Sequence, residues 1–373
     1  MALAVADAAS HNIAASGFLP KIRNICDTQL RPLALAIDRE GLYPESIMRN
    51  LGAAGAFASH TSGAGSGQAD LRQAIDAMAI AGETCLSTSF CMWCQDALGW
   101  YLATSQNRSL YDALGRRVTT GEQLGGTGLS NPMKCFFGIE KLRLKGKRVD
   151  GGYIVDGRLP WVSNLGKDHW FGAIFELADK PEVRIMAAID CAGPGVSIQQ
   201  SDHFVALEGT RTFSVKFTQA FVPDEQIIAE PVNDYIPKIR AGFILLQAGM
   251  AFGLIKGCID LMKQVERSHG HVNKYLEKQP ADFEVQLEAM QETVYRLAQT
   301  PFETDKAYFR QVVEARLAAG EASVAAAHYA MLHQGACGYL DNADAQRRLR
   351  EAYFVAIVTP ATKQLRKMLA EYL

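Results

Sequence analysis

The stretch KLRLKGKRVDGGYIVDGRLPWVSN, residues 141–164, decides the fold class, because apolar and polar residues alternate in it and turn signals interrupt it. Asp-Gly dipeptides begin at positions 150 and 156, and Asp-Gly between β-favouring runs is a strong short-range hairpin signal. Consecutive strands without intervening helices predict an antiparallel sheet that closes or folds on itself. Further strand-like runs follow at residues 170–177, 183–190 and 211–217.

The segments on either side of this region have the three- and four-residue apolar period of helices. A chain of 373 residues is also too long for one ordinary core. The sequence therefore predicts an α+β multidomain protein. We expect a helical domain over residues 1–120, a β-barrel over 121–234 and a helical bundle over 235–373.

Charge and composition exclude several classes of function. The chain has 38 basic and 40 acidic residues and a net charge of −2, without the basic surface that nucleic acid or an anionic membrane requires. The start, MALAVADAASHNIAASG, lacks the charged leader and apolar run of a signal peptide, so a cytoplasmic location is expected. No nucleophile elbow or Walker-type loop supports a hydrolase or a nucleoside triphosphatase.

The eight cysteines are scattered, and we expect reduced thiols. Cys91 and Cys94 form a single C-x-x-C pair, without the second pair of a structural zinc site. The histidines at 269, 271, 328 and 333 have no carboxylate or cysteine at ligand spacing. No metal site is predicted.

One apolar run, residues 241–259, is long enough to span a membrane. Gln247 and Lys256 interrupt it, and glycines recur at every fourth position, at 249, 253 and 257. Small residues at this spacing form a flat stripe where another helix backbone can approach. The run is therefore interpreted as a helix buried on all sides in a bundle.

Two short polar segments are candidates for chemistry: TGLSNP at residues 127–132 and PWVSN at 160–164. Trp161 and Ser163 are two residues apart, so a strand would place them on one face. An indole beside a hydroxyl suits a flat aromatic cofactor with a polar edge. Taken alone, the same two residues are more often a core indole and a strand end.

The order of these segments resembles that of the acyl-CoA dehydrogenase family. Residues 129–132 (LSNP) resemble the family's Thr-Glu-Pro segment, and residues 161–164 (WVSN) resemble its Trp-Ile-Thr-Asn. Other phrases follow the family's order along nearly the whole chain, at residues 51–57 (LGAAGAF), 212–217 (TFSVKF), 221–225 (FVPDE), 248–249 (AG), 335–339 (GACGY) and 350–352 (REA).

The resemblance implies a helical N-terminal domain, a central antiparallel β-barrel and a C-terminal four-helix bundle. It also implies FAD as the cofactor, with FMN as an alternative, and a dimer or homotetramer formed through the C-terminal helices. The glycine-striped helix would suit a core shared with neighbouring subunits. The small-molecule substrate would be an acyl-CoA or a related compound.

The resemblance also assigns site residues. The cofactor contacts would be Leu129 and Ser130, with Ser130 bonding the flavin, then Trp161 packing on the ring and Ser163 bonding near its reactive nitrogen. Substrate would be bound near Phe243 and Thr359.

The sequence departs from the family at the catalytic base. The usual Glu position aligns with Thr359, which has no useful basicity at neutral pH, and the alternative position falls near Phe243. The catalytic base therefore stays unknown. Residues 133–135 and 267–270 also match poorly, which leaves FAD and FMN open.

Three functions follow from this pattern. The first is a flavin-dependent oxidoreductase that passes hydride from an acyl thioester or similar substrate to flavin, without the usual Glu. The second is a reduced-flavin-dependent monooxygenase that uses a flavin peroxide and needs no α-proton abstraction. The third is a catalytically degenerate binding protein that kept the fold.

Overall fold

The computed structural model describes residues 17–200 and 203–373. The stretch that we interpret as lacking a signal peptide, residues 1–17, lies almost wholly outside these ranges. The elements follow the predicted order of helices, sheet and helices, and the fold class is confirmed. The first helices are α1 (Leu19–Ile25), α2 (Ala34–Arg39), α3 (Glu45–Ala53), α4 (Arg72–Gly82), α5 (Leu86–Thr104), α6 (Arg108–Leu110) and α7 (Arg116–Thr119).

The strands form one mixed sheet with the order β6-β7-β3-β2-β4-β5-β8, and β1 pairs with β4. A short helix, α8 (Ser130–Phe136), lies between β1 and β2. The strands are β1 (Gly125–Thr127), β2 (Leu144–Val149), β3 (Gly152–Val162), β4 (Trp170–Leu177), β5 (Arg184–Asp190), β6 (Val196–Gln200), β7 (Phe213–Pro223) and β8 (Ile227–Ala229).

The sheet differs from the prediction in the direction of two pairings. β1 and β2 both run parallel to β4, and the other described pairings are antiparallel. The chain reverses from β2 to β3 and again from β3 to β4. Because β4 then pairs with the free side of β2, these two strands run the same way.

The two Asp-Gly dipeptides have different roles. Gly151, with φ +72°, turns the chain between β2 and β3 as predicted. Gly157, predicted to make a second turn, lies inside β3 at a register shift. Its φ is +135°, and a Cβ there would lie 2.3 Å from the carbonyl oxygen of Arg143. The glycine therefore permits a bulge where the backbones crowd together.

The C-terminal region is helical, and α10 packs against α12, α13 and α14 as well as α4. The first predicted domain boundary, after residue 120, falls between α7 and β1. The second, after residue 234, falls just before the first C-terminal helix, which begins at Ile236. The helices are α9 (Ile236–Leu246), α10 (Ala248–Gln264), α11 (Glu266–Asn273), α12 (Pro280–Ala298), α13 (Lys306–Gln334), α14 (Asp344–Ile357) and α15 (Thr362–Glu371).

The predicted single helix over residues 241–259 is two helices, α9 and α10, which meet at Gln247. By length and composition the stretch Ile236–Gln264 could cross a membrane, but 94% of its most apolar window is buried inside the protein. The glycine stripe packs on α4 of the same chain. A Cβ on Gly253 would lie 2.3 Å from the carbonyl oxygen of Ala79. The stripe therefore serves packing within the chain, and the expectation of a core shared with neighbouring subunits stays a prediction.

The core has two parts. A large cluster joins the N-terminal and C-terminal helices, with α5 buried along nearly its whole length at the centre. A smaller cluster fills the interior of the sheet. All eight cysteines are free, and six of them are buried.

Candidate functional site

The candidate site lies where the first residue of α8 meets the turn that follows α14. The hydroxyl oxygens of Ser130 and Thr359 are 2.9 Å apart, within hydrogen-bond distance. The two residues are far apart in sequence, so this contact joins the sheet side of the molecule to the C-terminal helices. The structure thus brings together one predicted cofactor residue and one predicted substrate residue.

A polar pair from the bundle interior holds the Thr359 turn. Gln247 Nε2 donates to the carbonyl oxygen of Thr359 at 2.8 Å, and Arg316 Nε donates to Gln247 Oε1 at 2.6 Å. Arg316 Nη2 also donates to the carbonyl oxygen of Val355 at 2.5 Å. Because Arg316 only donates, it fixes the orientation of the Gln247 amide, whose NH₂ must face Thr359.

Arg316 is 4% exposed, and burial lowers the pKa of its guanidinium to about 10. The group is therefore still protonated at neutral pH. Sequence reasoning missed both Arg316 and Gln247. For Gln247 the signal was one polar residue in an apolar run, since a polar side chain buried in a helix core needs a partner. Arg316 follows Glu314 by two residues and gave no such signal.

A cavity of about 110 Å³ opens beside Ser130 between the start of α8 and the end of β3. Its lining includes Gly128, Leu159 and Trp161. The Trp161 indole is 54% exposed, which is unusual for a large aromatic side chain. An exposed ring face beside an opening is available to stack on a flat ligand.

Trp161 and Ser163 do not share one environment. A register shift between Leu159 and Val162 marks a bulge in β3, and the strand ends at Val162. Trp161 is exposed, whereas Ser163 is 8% exposed and its Oγ lies 2.6 Å from Thr212 Oγ1. The bulge, which the sequence pattern did not reveal, interrupts the simple alternation of faces.

Four of the predicted site residues are buried and do not line this cavity: Leu129, Ser163, Phe243 and Thr359. Leu129 is fully buried, and its backbone N–H donates to Thr127 Oγ1 at 3.3 Å. Phe243 packs on Trp93 with ring centroids 5.0 Å apart, and Trp93 Nε1 donates to the Phe243 carbonyl oxygen at 3.2 Å. Their assigned contacts with cofactor and substrate stay predictions.

Glu140 is the one carboxylate among the described residues that line the cavity. It accepts hydrogen bonds from Asn131 Nδ2 at 3.0 Å and Lys134 Nζ at 3.1 Å. Burial raises the pKa of Glu140, but these two donors outweigh burial and bring it below its usual value. A carboxylate held in this way is a weak base at neutral pH.

Metal ligands and other cavities do not add to this site. In the described ranges, no group of three or more His, Cys, Asp or Glu side chains is placed to hold a metal ion. A larger cavity of about 1300 Å³ lies near Phe18, Arg72 and Glu303. None of the predicted site residues lines it.

The groups around Ser130 match the chemistry of a flavin ring. The exposed Trp161 offers a stacking face, and the Ser130 hydroxyl can bond a polar ring edge, whereas Ser163 is buried outside the cavity lining. Gly128 has no side chain to obstruct the cavity. The residues present therefore fit the cofactor that the sequence predicts.

Comparison with known proteins identifies two domains of one family. Residues 16–122 match the model "Acyl-CoA dehydrogenase, N-terminal domain", and residues 237–373 match "Acyl-CoA dehydrogenase, C-terminal domain". The chain is 22% identical to benzylmalonyl-CoA dehydrogenase of Aromatoleum aromaticum, over 92% of this chain and 94% of that protein.

Solved structures share the fold at low identity. Glutaryl-coenzyme A dehydrogenase in its glutaryl-CoA complex aligns with a TM-score of 0.82 and 19% identity, covering 95% of this chain and 93% of that chain. KijD3 in complex with FMN and dTDP-3-amino-2,3,6-trideoxy-4-keto-3-methyl-D-glucose aligns with a TM-score of 0.74 and 16% identity, covering 95% and 90%. With both terminal domains matched and the whole architecture shared, this chain belongs to the acyl-CoA dehydrogenase family.

Proposed function

We propose that this chain is a flavin-dependent oxidoreductase that acts on an acyl thioester or a related substrate without the family's usual carboxylate base. The observation that carries the proposal is the Ser130–Thr359 hydroxyl pair beside the exposed Trp161. This pair lies between the proposed cofactor residues and the turn where a base is expected. A cytoplasmic location is part of the proposal.

The proposed roles follow from the position of each side chain. Trp161 packs on the ring, while Ser130 and Ser163 bond its polar edge. A bound flavin, FAD or alternatively FMN, would supply the acceptor for two electrons. Thr359, held by Gln247 and Arg316, keeps a hydroxyl at the substrate side of Ser130.

Among the described residues of the cavity lining and the Thr359 turn, the proton that a dehydrogenase must remove has no good acceptor. The Thr359 hydroxyl is not basic at neutral pH, and Glu140 is committed to Asn131 and Lys134. This observation favours a second candidate, the reduced-flavin-dependent monooxygenase, in which no α-proton is abstracted. The neighbour KijD3, solved with FMN and a nucleotide sugar, makes a substrate other than a CoA thioester a reasonable alternative.

One chain covers only part of the proposed cofactor. The cavity of about 110 Å³ is well below the roughly 300–1,000 Å³ of most ligand pockets. Trp161 is also more than half exposed. We therefore propose a homo-oligomer, a dimer or tetramer, in which a second copy covers the ring.

The test begins with flavin binding by the purified protein and by Trp161→Ala. Removing a stacked indole is expected to weaken flavin binding roughly tenfold or more, since such ring contacts contribute about 0.5–1.5 kcal/mol beyond the area they bury. The flavin-loaded protein is then titrated without oxygen against short and medium acyl-CoAs while flavin absorbance is recorded. Bleaching of the flavin band is the expected result for the first candidate.

The outcomes separate the candidates. If bound flavin is not bleached by any acyl-CoA, but the protein consumes oxygen when an external reductase supplies reduced flavin, the monooxygenase replaces the first candidate. Unchanged flavin affinity in Trp161→Ala would remove Trp161 from the site. Absence of flavin binding would leave the degenerate binding protein.

A further inference from the structure

Three hydroxyl groups form a continuous chain behind Trp161. Ser163 Oγ lies 2.6 Å from Thr212 Oγ1, which lies 2.8 Å from Thr210 Oγ1. Thr210 Oγ1 donates to the carbonyl oxygen of Leu207 at 2.7 Å. Thr210 is 1% exposed and Ser163 is 8% exposed, so water has little access to either end of the chain.

The carbonyl oxygen at the inner end fixes the direction of the protons. A carbonyl only accepts, so the single hydroxyl proton of Thr210 points to Leu207. Thr210 must then accept from Thr212, and Thr212 must accept from Ser163. The proton of Ser163 is directed inwards, so the Ser163 hydroxyl has only lone pairs left for a further partner.

Reversing this order would cost a hydrogen bond. If Ser163 turned its proton outwards, two oxygens of the chain would face each other with no hydrogen between them, or Thr210 would lose its hydroxyl hydrogen bond to the Leu207 carbonyl. Hydrogen bonds in a chain also strengthen one another in a protected environment. The inward direction is therefore the stable one.

We propose that this hydroxyl chain makes Ser163 an acceptor-only partner for the flavin and so favours the reduced cofactor over the oxidised one. The inference rests on the proposed function, in which Ser163 lies near the reactive ring nitrogen. That nitrogen, N5, carries a hydrogen in reduced flavin and only a lone pair in oxidised flavin. An acceptor bonds the first and repels the second, and hydrogen bonds to ring nitrogens are known to tune flavins.

The test measures the two-electron midpoint potential of bound flavin in the full-length protein and in Thr212→Val. The substitution keeps the side-chain shape but frees the Ser163 proton to donate to oxidised flavin. We expect the ratio of oxidised to reduced affinity to rise roughly tenfold, the upper range for one hydrogen bond. Tenfold corresponds to a potential about 30 mV lower for a two-electron couple.

Matched variants separate this effect from a general disturbance. Thr212→Ser keeps the hydroxyl and should keep the wild-type potential. Thr218→Val makes the same chemical change at an exposed position of β7, the strand that begins directly after Thr212, outside the hydroxyl chain, and should also leave the potential unchanged. Should Thr212→Val fail to fold, Thr210→Val breaks the chain one hydroxyl further in and should lower the potential likewise.

A failure of this inference can be distinguished from a failure of the proposed function. A folded Thr212→Val that binds flavin with the wild-type potential would overturn the inference and leave the flavoprotein proposal standing. A wild-type protein that binds neither flavin state would overturn both. Equal shifts in Thr212→Val and Thr218→Val would show that the hydroxyl chain is not the cause.

Discussion

Asp96 is a carboxyl group in the interior of α5, and both of its carboxyl oxygens lack a hydrogen-bond partner among the described residues. The imidazole of His60 lies beside it, with Nδ1 at 3.6 Å from Asp96 Oδ1. Burial raises the pKa of Asp96 well above its usual range and lowers the pKa of His60 to about 4. The two groups therefore affect stability in opposite directions as pH changes.

The direction of each pH effect follows from the linkage between proton binding and folding. Because the folded pKa of Asp96 is raised, its contribution is most favourable below the unfolded value near 3.9 and is lost as pH rises towards the folded pKa. The folded pKa of His60 is depressed, so its contribution is present above about pH 6.5 and is lost as pH falls towards 4.

We therefore predict that Asp96→Asn, which has nearly the same shape and no charge, stabilises the protein at about pH 8 by more than about 1 kcal/mol. The gain should shrink as the pH is lowered to 4 and below, because Asp96 then becomes protonated in the unfolded state as well. Urea unfolding of the two proteins at several pH values measures this difference. A variant that is less stable at pH 8 would show instead that Asp96 is ionised and paired with His60.

At the level of elements, the contact between α4 and α10 depends on glycine. A Cβ on Gly253 would lie 2.3 Å from the carbonyl oxygen of Ala79 and 2.7 Å from Gly82 Cα. Backbone atoms cannot rotate away as a side chain can, so the helices would have to separate. Gly270 in α11 is the opposite case, since a Cβ there would meet only Glu266 Cγ, at 3.8 Å.

Gly253→Ala should therefore destabilise the protein by about 2 kcal/mol or more, as overpacking of a core does. Gly270→Ala should stabilise it by about 0.5–1 kcal/mol, because alanine is the better helix former and finds open space. Urea midpoints of both variants test the pair. A Gly253→Ala protein as stable as the wild type would contradict the close approach of α4 and α10.

The same elements show what sequence reasoning can reach. The apolar period and the glycine spacing were enough to predict a buried helix with a flat stripe. The break at Gln247 was not predictable, because it depends on partners from Arg316 and Thr359, which are distant in sequence. Likewise, Asp150-Gly151 was recognisable as a turn, but the bulge at Gly157 depends on the opposing backbone. Local patterns report local geometry, whereas these two features are set by tertiary contacts.

The candidate site shows the same difference between what local sequence patterns predict and what tertiary contacts determine. The order of motifs along the chain identified Ser130, Trp161, Ser163 and Thr359 as candidates. It did not predict that Ser130 and Thr359 bond each other, or that Thr212 completes a hydroxyl chain with Ser163. Such pairings join residues from different regions, and no spacing rule encodes them.

At the scale of the whole molecule, Glu351 on α14 ties the C-terminal helices to the N-terminal ones. The buried Glu351 carboxylate accepts from Arg347 Nη1 at 3.2 Å and Arg348 Nη1 at 2.9 Å. The same two guanidinium groups donate to the carbonyl oxygens of Thr84 and Gly82, each at 2.9 Å. Glu351 therefore pairs with both buried cations at the junction of α4 and α5, and Asp344 also pairs with Arg347, at 2.6 Å.

Glu351→Gln leaves the buried Arg348 without its carboxylate partner and leaves Arg347 with Asp344 alone, and we expect it to cost about 3 kcal/mol of stability. Glu314→Gln is the matched control, because Glu314 pairs with Arg310 on the surface of α13. An exposed pair of this kind contributes about 0.5 kcal/mol or less. Thermal and urea unfolding compare the two, and similar small losses in both would contradict the structural role of Glu351.

Hydrogen bonds from the interior of the bundle hold the Thr359 turn in place, through Gln247, Arg316 and the carbonyl oxygen of Val355. This arrangement limits how the protein can be redesigned or can diverge. Exchanging Thr359 for Glu would not by itself install a base, since the new carboxylate would enter a turn whose backbone is held in place for a hydroxyl bonded to Ser130. New chemistry at this position has to start with α13 and the α9–α10 junction, and only then reach the residue that touches substrate.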